Sequence, residues 1–247
     1  MSSKAFARFR RVPNPGATPN RMPFPPQMPH TLQNRLLYLI TSGETTATTT
    51  PQTEDFSNVL RLVEAAVAAK IDLIQIREKR LSANFLYELS TRAADITKGS
   101  ATRLLVNDRA DIAAAAGADG VHLASLSLPP YIVRRTFGAA FLIGVSTHSL
   151  EQAAAAVRSG ADFVVFGPVF DTLSKRRYGE PLGLAELRKV TSELAPFPVL
   201  ALGGVTMNNV ADCIHAGAAG IAAIGILNHR LQLDQIVNEI RGYLDKR

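Results

Sequence analysis

Three polar side chains fall at alternate positions in the stretch IDLIQIREKR: Gln75, Arg77 and Lys79. On an extended chain, residues two apart share a face, so this trio lies along one side with Leu73 while Ile74 and Ile76 take the other. A face that turns cationic at its end can hold an anion. Further along, comparable chemistry recurs at Asn107-Asp108, at Ser146-Thr147-His148 and at Gly203-Gly204. A long stretch from Gly167 to Leu184, GPVFDTLSKRRYGEPLGL, adds hydroxyls and the adjacent cations Lys175, Arg176 and Arg177. Cations, hydroxyls and glycine turns with one or two carboxylates suit a phosphorylated or pyrophosphorylated substrate, with a divalent metal between phosphate and carboxylate. There is no Cys/His cluster of zinc type and no defensible Ser-His-Asp spacing.

Each of these features also has a plainer explanation. An Arg-Glu-Lys string is often a solvated surface patch. Asn107-Asp108 would cap a helix beginning near Arg109. Ser149 and Gln152 have capping-box spacing, which accounts for part of the polarity around His148. Gly203-Gly204 would serve as a tight turn.

The elements that must position these residues alternate regularly. Strand-like runs occur at 35–41, 71–77, 103–108, 120–124, 141–147, 162–167, 197–204 and 220–226, and helical patterns such as DFSNVLRLVEAAVAAK and SLEQAAAAVRSG follow them. Gly117, Gly160 and Gly217 stand where helices should end. Apolar strands alternating with helices mean parallel βαβ units, and eight of them predict an α/β fold of one type, a single (β/α)8 TIM barrel. An open doubly wound sheet is the alternative, but no G-x-G-x-x-G follows the first strand. In a barrel, the site forms at the C-terminal ends of the strands. Gln75, Arg77, Lys79, Asn107, Asp108, Ser146, His148, Gly203, Gly204, Ile224 and Gly225 all map there, which chance placement would not produce. The long stretch after the sixth strand reads as a lid or binding loop.

Composition bounds the rest. The chain has 247 residues, of which 47% are hydrophobic and 19% charged. Its net charge of +6 arises entirely in residues 1–35, which carry Lys4, Arg8, Arg10, Arg11, Arg21 and Arg35 and no acid; 36–247 balance 21 bases against 21 acids. The neutral body argues against nucleic acid as a partner. Seven of the fourteen prolines lie in 1–33, so that segment reads as a disordered, basic, Pro-rich N-terminal extension to a barrel domain at 34–247. It has a faint transit-peptide character, but the plainer reading is a dispensable tail, or a start at Met22 or Met28. A Thr-rich stretch from Thr41 to Asp55 reads as a surface loop. No apolar run approaches the roughly 18 residues of a membrane span. The single cysteine, Cys213, fits a cytoplasmic protein without disulfides.

The motifs QIREK, VNDR, GADGVHL, GVSTHS, GPVFDTLSK, LALGGV and GIAAIGIL, taken together over 35–245, resemble the thiamine phosphate synthase/TenI family. That resemblance implies a transferase that joins an aminopyrimidine-methyl diphosphate to thiazole phosphate, releasing pyrophosphate. It implies that Gln75, Ile76, Arg77, Glu78, Lys79 and Asn107 bind the pyrimidine diphosphate, and that Ser146 lies by the pyrimidine. Thr172, Leu173, Ser174 and Lys175 would hold thiazole phosphate and pyrophosphate, and Gly204, Ile224 and Gly225 would take the thiazole phosphate on backbone N–H groups. Arg77, Lys79 and Lys175 would act catalytically by stabilising the leaving group. It further implies one Mg²⁺ per site on Asp108, together with an aspartate in the loop after GVHL. Here that loop reads ASLS, so Ser127 occupies the second metal position. His148 matches the acid/base of TenI-type tautomerases, which leaves a metal-independent isomerase, or a non-catalytic thiamine-phosphate binder, as alternatives. The implied partners are small phosphorylated substrates; homo-oligomer formation is left open.

Overall fold

The computed structural model describes residues 36–124, 126–172 and 180–244; the extension 1–33 lies outside them. Eight parallel strands close on themselves in chain order: β1 (Leu36–Ile40), β2 (Leu73–Ile76), β3 (Arg103–Asn107), β4 (Gly120–Leu123), β5 (Leu142–Thr147), β6 (Phe163–Phe166), β7 (Val199–Leu202) and β8 (Gly220–Ala223). Closure is made by β1, which pairs with β2 through Tyr38 opposite Leu73 and with β8 through Tyr38 opposite Ala222. The helices that follow the strands are α1 (Glu54–Ala68), α2 (Ala83–Thr97), α3 (Ala110–Ala115), α4 (Pro130–Phe137), α5 (Leu150–Arg158), α6 (Gly183–Leu194), α7 (Val210–His215) and α8 (Leu233–Leu244). This is the (β/α)8 barrel that the alternation predicts.

Alternation along the strands divides the apolar residues into two cores. Ile74, Ile76, Val121, Ile143 and Val164 face the helices, while Tyr38, Leu73, Leu105, Leu142, Phe163 and Leu200 fill the lumen. Gln75 and Asn107 therefore point into the barrel, two residues on from Leu73 and Leu105, and Ser146 does so four residues on from Leu142; His122 is placed there by its contacts with the Tyr38 and Phe163 rings.

At the opposite end of the barrel from the strand termini that carry the site, a device repeats around the ring. Asp72, Asp119 and Asp162 each immediately precede an even-numbered strand or its first residue. Their carboxylates accept the N–H of Leu37 (2.8 Å), Leu104 (2.8 Å) and Ile143 (2.7 Å) on the strand before. Each carboxylate also receives an arginine: Arg241 at 3.0 Å, Arg103 at 3.0 Å and Arg134 at 2.7 Å. The fourth equivalent position is Ala219, whose N–H still donates to Val199 O as Asp119 donates to Leu104 O. IDL, ADG and ADF thus carry the device three times, with AAG keeping only the main-chain bond, a repeat that the sequence carries but that periodicity alone does not expose. It staples strand pairs at the face of a barrel that governs stability.

Candidate active site

The C-terminal ends of the strands gather the polar residues on one rim. At β2, Gln75 is buried and its amide nitrogen lies 2.8 Å from the Tyr38 hydroxyl inside the lumen. The main chain of Arg77 donates to Thr41 Oγ1 (2.9 Å), and the side chain runs beneath Gly43, where a Cβ would lie 3.7 Å from the guanidinium. Glu78 is 2% exposed, with both carboxylate oxygens engaged by the loop between β1 and α1: Thr41 Oγ1 donates at 2.5 Å, Thr45 Oγ1 at 2.6 Å and Thr45 N–H at 3.2 Å. Ile76 is sealed among the helix-facing residues. The side chains of Ile76 and Glu78 are thus used for packing and for anchoring this Thr-rich loop.

Lys79, Asn107, Asp108 and Arg109 line a common cavity between the ends of β2 and β3. Asp108 adopts a left-handed conformation, φ 64°. The capping explanation of this pair does not hold. The residue at the start of α3 is Arg109, no side chain caps it, and Arg109 is instead paired with Asp111. Asp108 turns outward at the rim, where the Ser127 hydroxyl donates to its Oδ1. Ser127 and Ser146 in turn line a second cavity, between the ends of β4 and β5.

On β5, Ser146 Oγ lies 2.9 Å from His122 Nε2. Burial pushes the His122 imidazole down to about 3, with Asp108 raising it and Arg77 lowering it, so the ring is neutral. The helix-start reading of the next turn holds for one half of the capping box: Ser149 Oγ accepts from Gln152 N–H (3.2 Å), while Gln152 Oε1 accepts not from Ser149 but from His148 N–H (2.8 Å). His148 is nonetheless fixed by more than the cap. Its Nδ1 bonds Gly167 O, which can only accept, so Nδ1 carries the proton and Nε2 keeps its lone pair when the ring is neutral.

The turn after β7 is shaped by the chain leaving β6. Val169 N–H donates to Leu202 O (2.8 Å) and Phe170 N–H to Gly203 O (3.0 Å). Gly203 and Gly204 have φ of 92° and 64°, and a Cβ on Gly204 would lie 2.5 Å from Asp171 O. Both glycines are required by conformation and by contact. The two feet of the long loop are joined where Leu182 N–H donates to Pro168 O (2.8 Å) and Gly183 N–H to Val169 O (3.1 Å). Thr172 is half-buried at one foot; Leu173, Ser174 and Lys175 lie outside the described residues. At β8, Asn228 donates to Ile224 O (2.6 Å) and Ile40 O (2.8 Å), which ties the turn of Ile224 and Gly225 to the end of β1.

Sequence reasoning missed His122, Tyr38, Thr41, Thr45 and Asn228. His122 had a signal: it is an imidazole at the inward position of GVHL, between the helix-facing Val121 and Leu123. The hydroxyls had none, because the partner of Thr41 and Thr45, Glu78, and that of Tyr38, Gln75, are more than thirty residues away.

For a divalent metal, Asp108 is the carboxylate at the rim. Among the described residues no three His, Cys, Asp or Glu side chains cluster. The donor set fits Mg²⁺ only in its substrate-assisted mode, with one carboxylate and the remaining positions filled by phosphate oxygens and water.

The family model described as thiamine monophosphate synthase matches residues 37–227. The chain is 47% identical over 170 residues to a putative thiamine-phosphate synthase of Geobacter sulfurreducens, covering 69% of this chain and 79% of that one. It is 34% identical over 212 residues to the thiamine-phosphate synthase of Roseiflexus castenholzii, covering 86% of each. Among solved structures, the thiamine phosphate pyrophosphorylase of Pyrococcus furiosus is similar with a TM-score of 0.71 at 27% identity, over 87% of this chain and 98% of that one. The family match reaches from β1 to just beyond β8 and takes in residues of all eight strands, and the chain belongs to the thiamine monophosphate synthase family.

Proposed function

We propose that the chain acts as a thiamine-phosphate synthase, a transferase that moves the aminopyrimidine-methyl group from its diphosphate to the nitrogen of thiazole phosphate. What supports this reading is that Arg77, Lys79, Asn107, Asp108 and Ser146 all stand at or just beyond the C-terminal ends of strands in the same closed barrel whose β7 and β8 end in the glycine-bearing turns. The C–O bond to the diphosphate breaks with its electron pair leaving on pyrophosphate. The resulting cationic carbon accepts the thiazole nitrogen lone pair. No proton need move, so the requirement is concentrated, preorganised positive charge at the leaving group, which Arg77 and Lys79 supply with Lys175 from the loop. Gln75 and Asn107 orient the pyrimidine diphosphate and Ser146 lies against the ring. Gly204, Ile224 and Gly225 take the thiazole phosphate on their main chain, and Thr172, Leu173 and Ser174 are further contacts for thiazole phosphate and pyrophosphate. Asp108 would hold Mg²⁺, whose role is to neutralise the departing pyrophosphate.

Among the described residues no helix is long and apolar enough to cross a membrane. Cys213 is a free, buried thiol, which fits work in a reducing cytoplasm. The test is to combine both substrates with and without Mg²⁺ and measure thiamine phosphate and pyrophosphate. Absence of product at every Mg²⁺ concentration would overturn the reading. One observation favours a second activity: the His148 Nε2 lone pair is set up as a base, as a metal-independent thiazole tautomerase would need. Undiminished aromatisation of the thiazole by a His148→Ala variant would remove it.

A further inference from the structure

Beneath the mouth, the lumen holds three rings. His122 stands 5.6 Å from Tyr38 and 6.2 Å from Phe163, centroid to centroid. Gly144 leaves the space for them: a Cβ there would lie 2.4 Å from the Phe163 ring and 2.8 Å from His122 Nδ1. The His122 ring is therefore confined, and it is 3% exposed. Its two nitrogens are not equivalent. Nε2 bonds Ser146 Oγ at 2.9 Å, while Nδ1 is buried without a hydrogen-bond partner.

That asymmetry decides where the ring proton sits. With the proton on Nδ1, a buried N–H donor would be orphaned; a doubly protonated ring would orphan the same donor. With the proton on Nε2, only a lone pair goes unmatched, and orphaned buried N–H groups are the rarer case in folded proteins. The Nε2–H tautomer donates to Ser146 Oγ. One of the oxygen's lone pairs is then occupied from below, and the hydroxyl proton is turned away from His122, towards the mouth.

We propose that His122 is a positioning residue that fixes Ser146 as a hydrogen-bond donor, so that the site selects a heteroaromatic substrate presenting a ring nitrogen acceptor at this point. The inference rests on the reading of Ser146 as a contact of the pyrimidine. Discrimination follows from polarity: a ring that offers N–H or C–H there leaves the Ser146 proton unmatched in a half-buried setting.

Two measurements test it. In the wild-type protein labelled with ¹⁵N-histidine, the His122 ring should show a bare Nδ1 and a protonated Nε2; a protonated Nδ1 overturns the proposal without reference to activity. In kinetics, His122→Phe keeps a ring but removes the donor and should lower kcat/KM for the pyrimidine diphosphate by roughly 5- to 10-fold, the scale of one net hydrogen bond. The KM for thiazole phosphate should stay unchanged. His122→Gln, which returns an N–H near the same place, should recover most of the loss. Ser146→Ala should lose as much, and His122→Phe added to it should cost nothing further. Additive losses, or equal damage to both substrates in the Phe and Gln variants, overturn the proposal. A Ser146→Ala variant with wild-type kinetics would instead sink the assignment of Ser146 to the pyrimidine, and the inference with it, whatever the tautomer.

Discussion

The Ser127 hydroxyl donates a hydrogen bond to Asp108 Oδ1, tying the loop after β4 to the end of the neighbouring β3 at the rim of the barrel. A charge-assisted bond of this kind orients the carboxylate and also occupies one of its oxygens. Asp108 therefore meets a cation with one oxygen already engaged.

Asp108→Asn should lower kcat/KM by about 10- to 100-fold and raise the Mg²⁺ concentration needed for half-maximal rate, as loss of a ligand or its support does. Ser127→Ala should shift that concentration the opposite way, because Oδ1 is released. Titrating Mg²⁺ at fixed substrate reads both. An unaltered Mg²⁺ requirement in Asp108→Asn would remove Asp108 from the metal.

Glu78→Ala should act on the pyrimidine diphosphate without touching it. The carboxylate collects two hydroxyls and one N–H from the loop between β1 and α1, and Thr41 of that loop accepts the Arg77 N–H. Leaving buried donors unmatched costs about 1–3 kcal/mol, seen as a lower Tm. The KM for the diphosphate should rise with it as Arg77 loses its support. A lower Tm with no change in KM would separate the loop from the site.

Gly204 and Gly225 should respond differently to alanine. A Cβ at Gly204 meets Asp171 O at 2.5 Å and sits at φ 64°, whereas one at Gly225 meets nothing within 4 Å. Gly204→Ala should destabilise by roughly 1–2 kcal/mol from conformation alone and displace the chain around Phe170 and Asp171. Gly225→Ala should leave the Tm unchanged, so any rise in its KM for thiazole phosphate reports on phosphate binding.

His122 should make the fold acid-sensitive. Its folded pKa is about 3, against about 6.5 when unfolded. Between these values the unfolded chain binds a proton that the folded chain does not. Stability from this group is thus fully present above the unfolded value and is lost as pH falls through the window, at up to about 1.4 kcal/mol per pH unit. Denaturant unfolding of His122→Gln should show a shallower loss between about pH 6.5 and pH 4 than the wild type. An identical slope would place the titration elsewhere.

Much of the site was legible because alternation is local. IDLIQIREKR shows by itself that Gln75 and Arg77 share a face, and the lumen position of Gln75 beside the helix-facing Ile74 and Ile76 agrees. GVSTHS and LALGG likewise placed their polar and glycine residues at strand ends. Asn107-Asp108 misled as a cap, since a helix start and a strand end favour the same residue types. The Asp72, Asp119 and Asp162 repeat went unread because its partners are backbone N–H groups, which leave no trace in the sequence, and arginines at no constant spacing from the aspartates.

The sequence by itself determined the barrel, the two faces of β2 and the end at which polar residues collect, because periods of two and of 3.6 residues are properties of a chain with its neighbours. Tertiary structure alone decided the partners: Ser127 with Asp108, Glu78 with Thr41 and Thr45, His122 with Ser146. Those pairs join different strands or their loops. They exist only once the register between neighbouring strands is set, since each hydrogen bond depends on the distance between strands, which no periodicity along one strand contains.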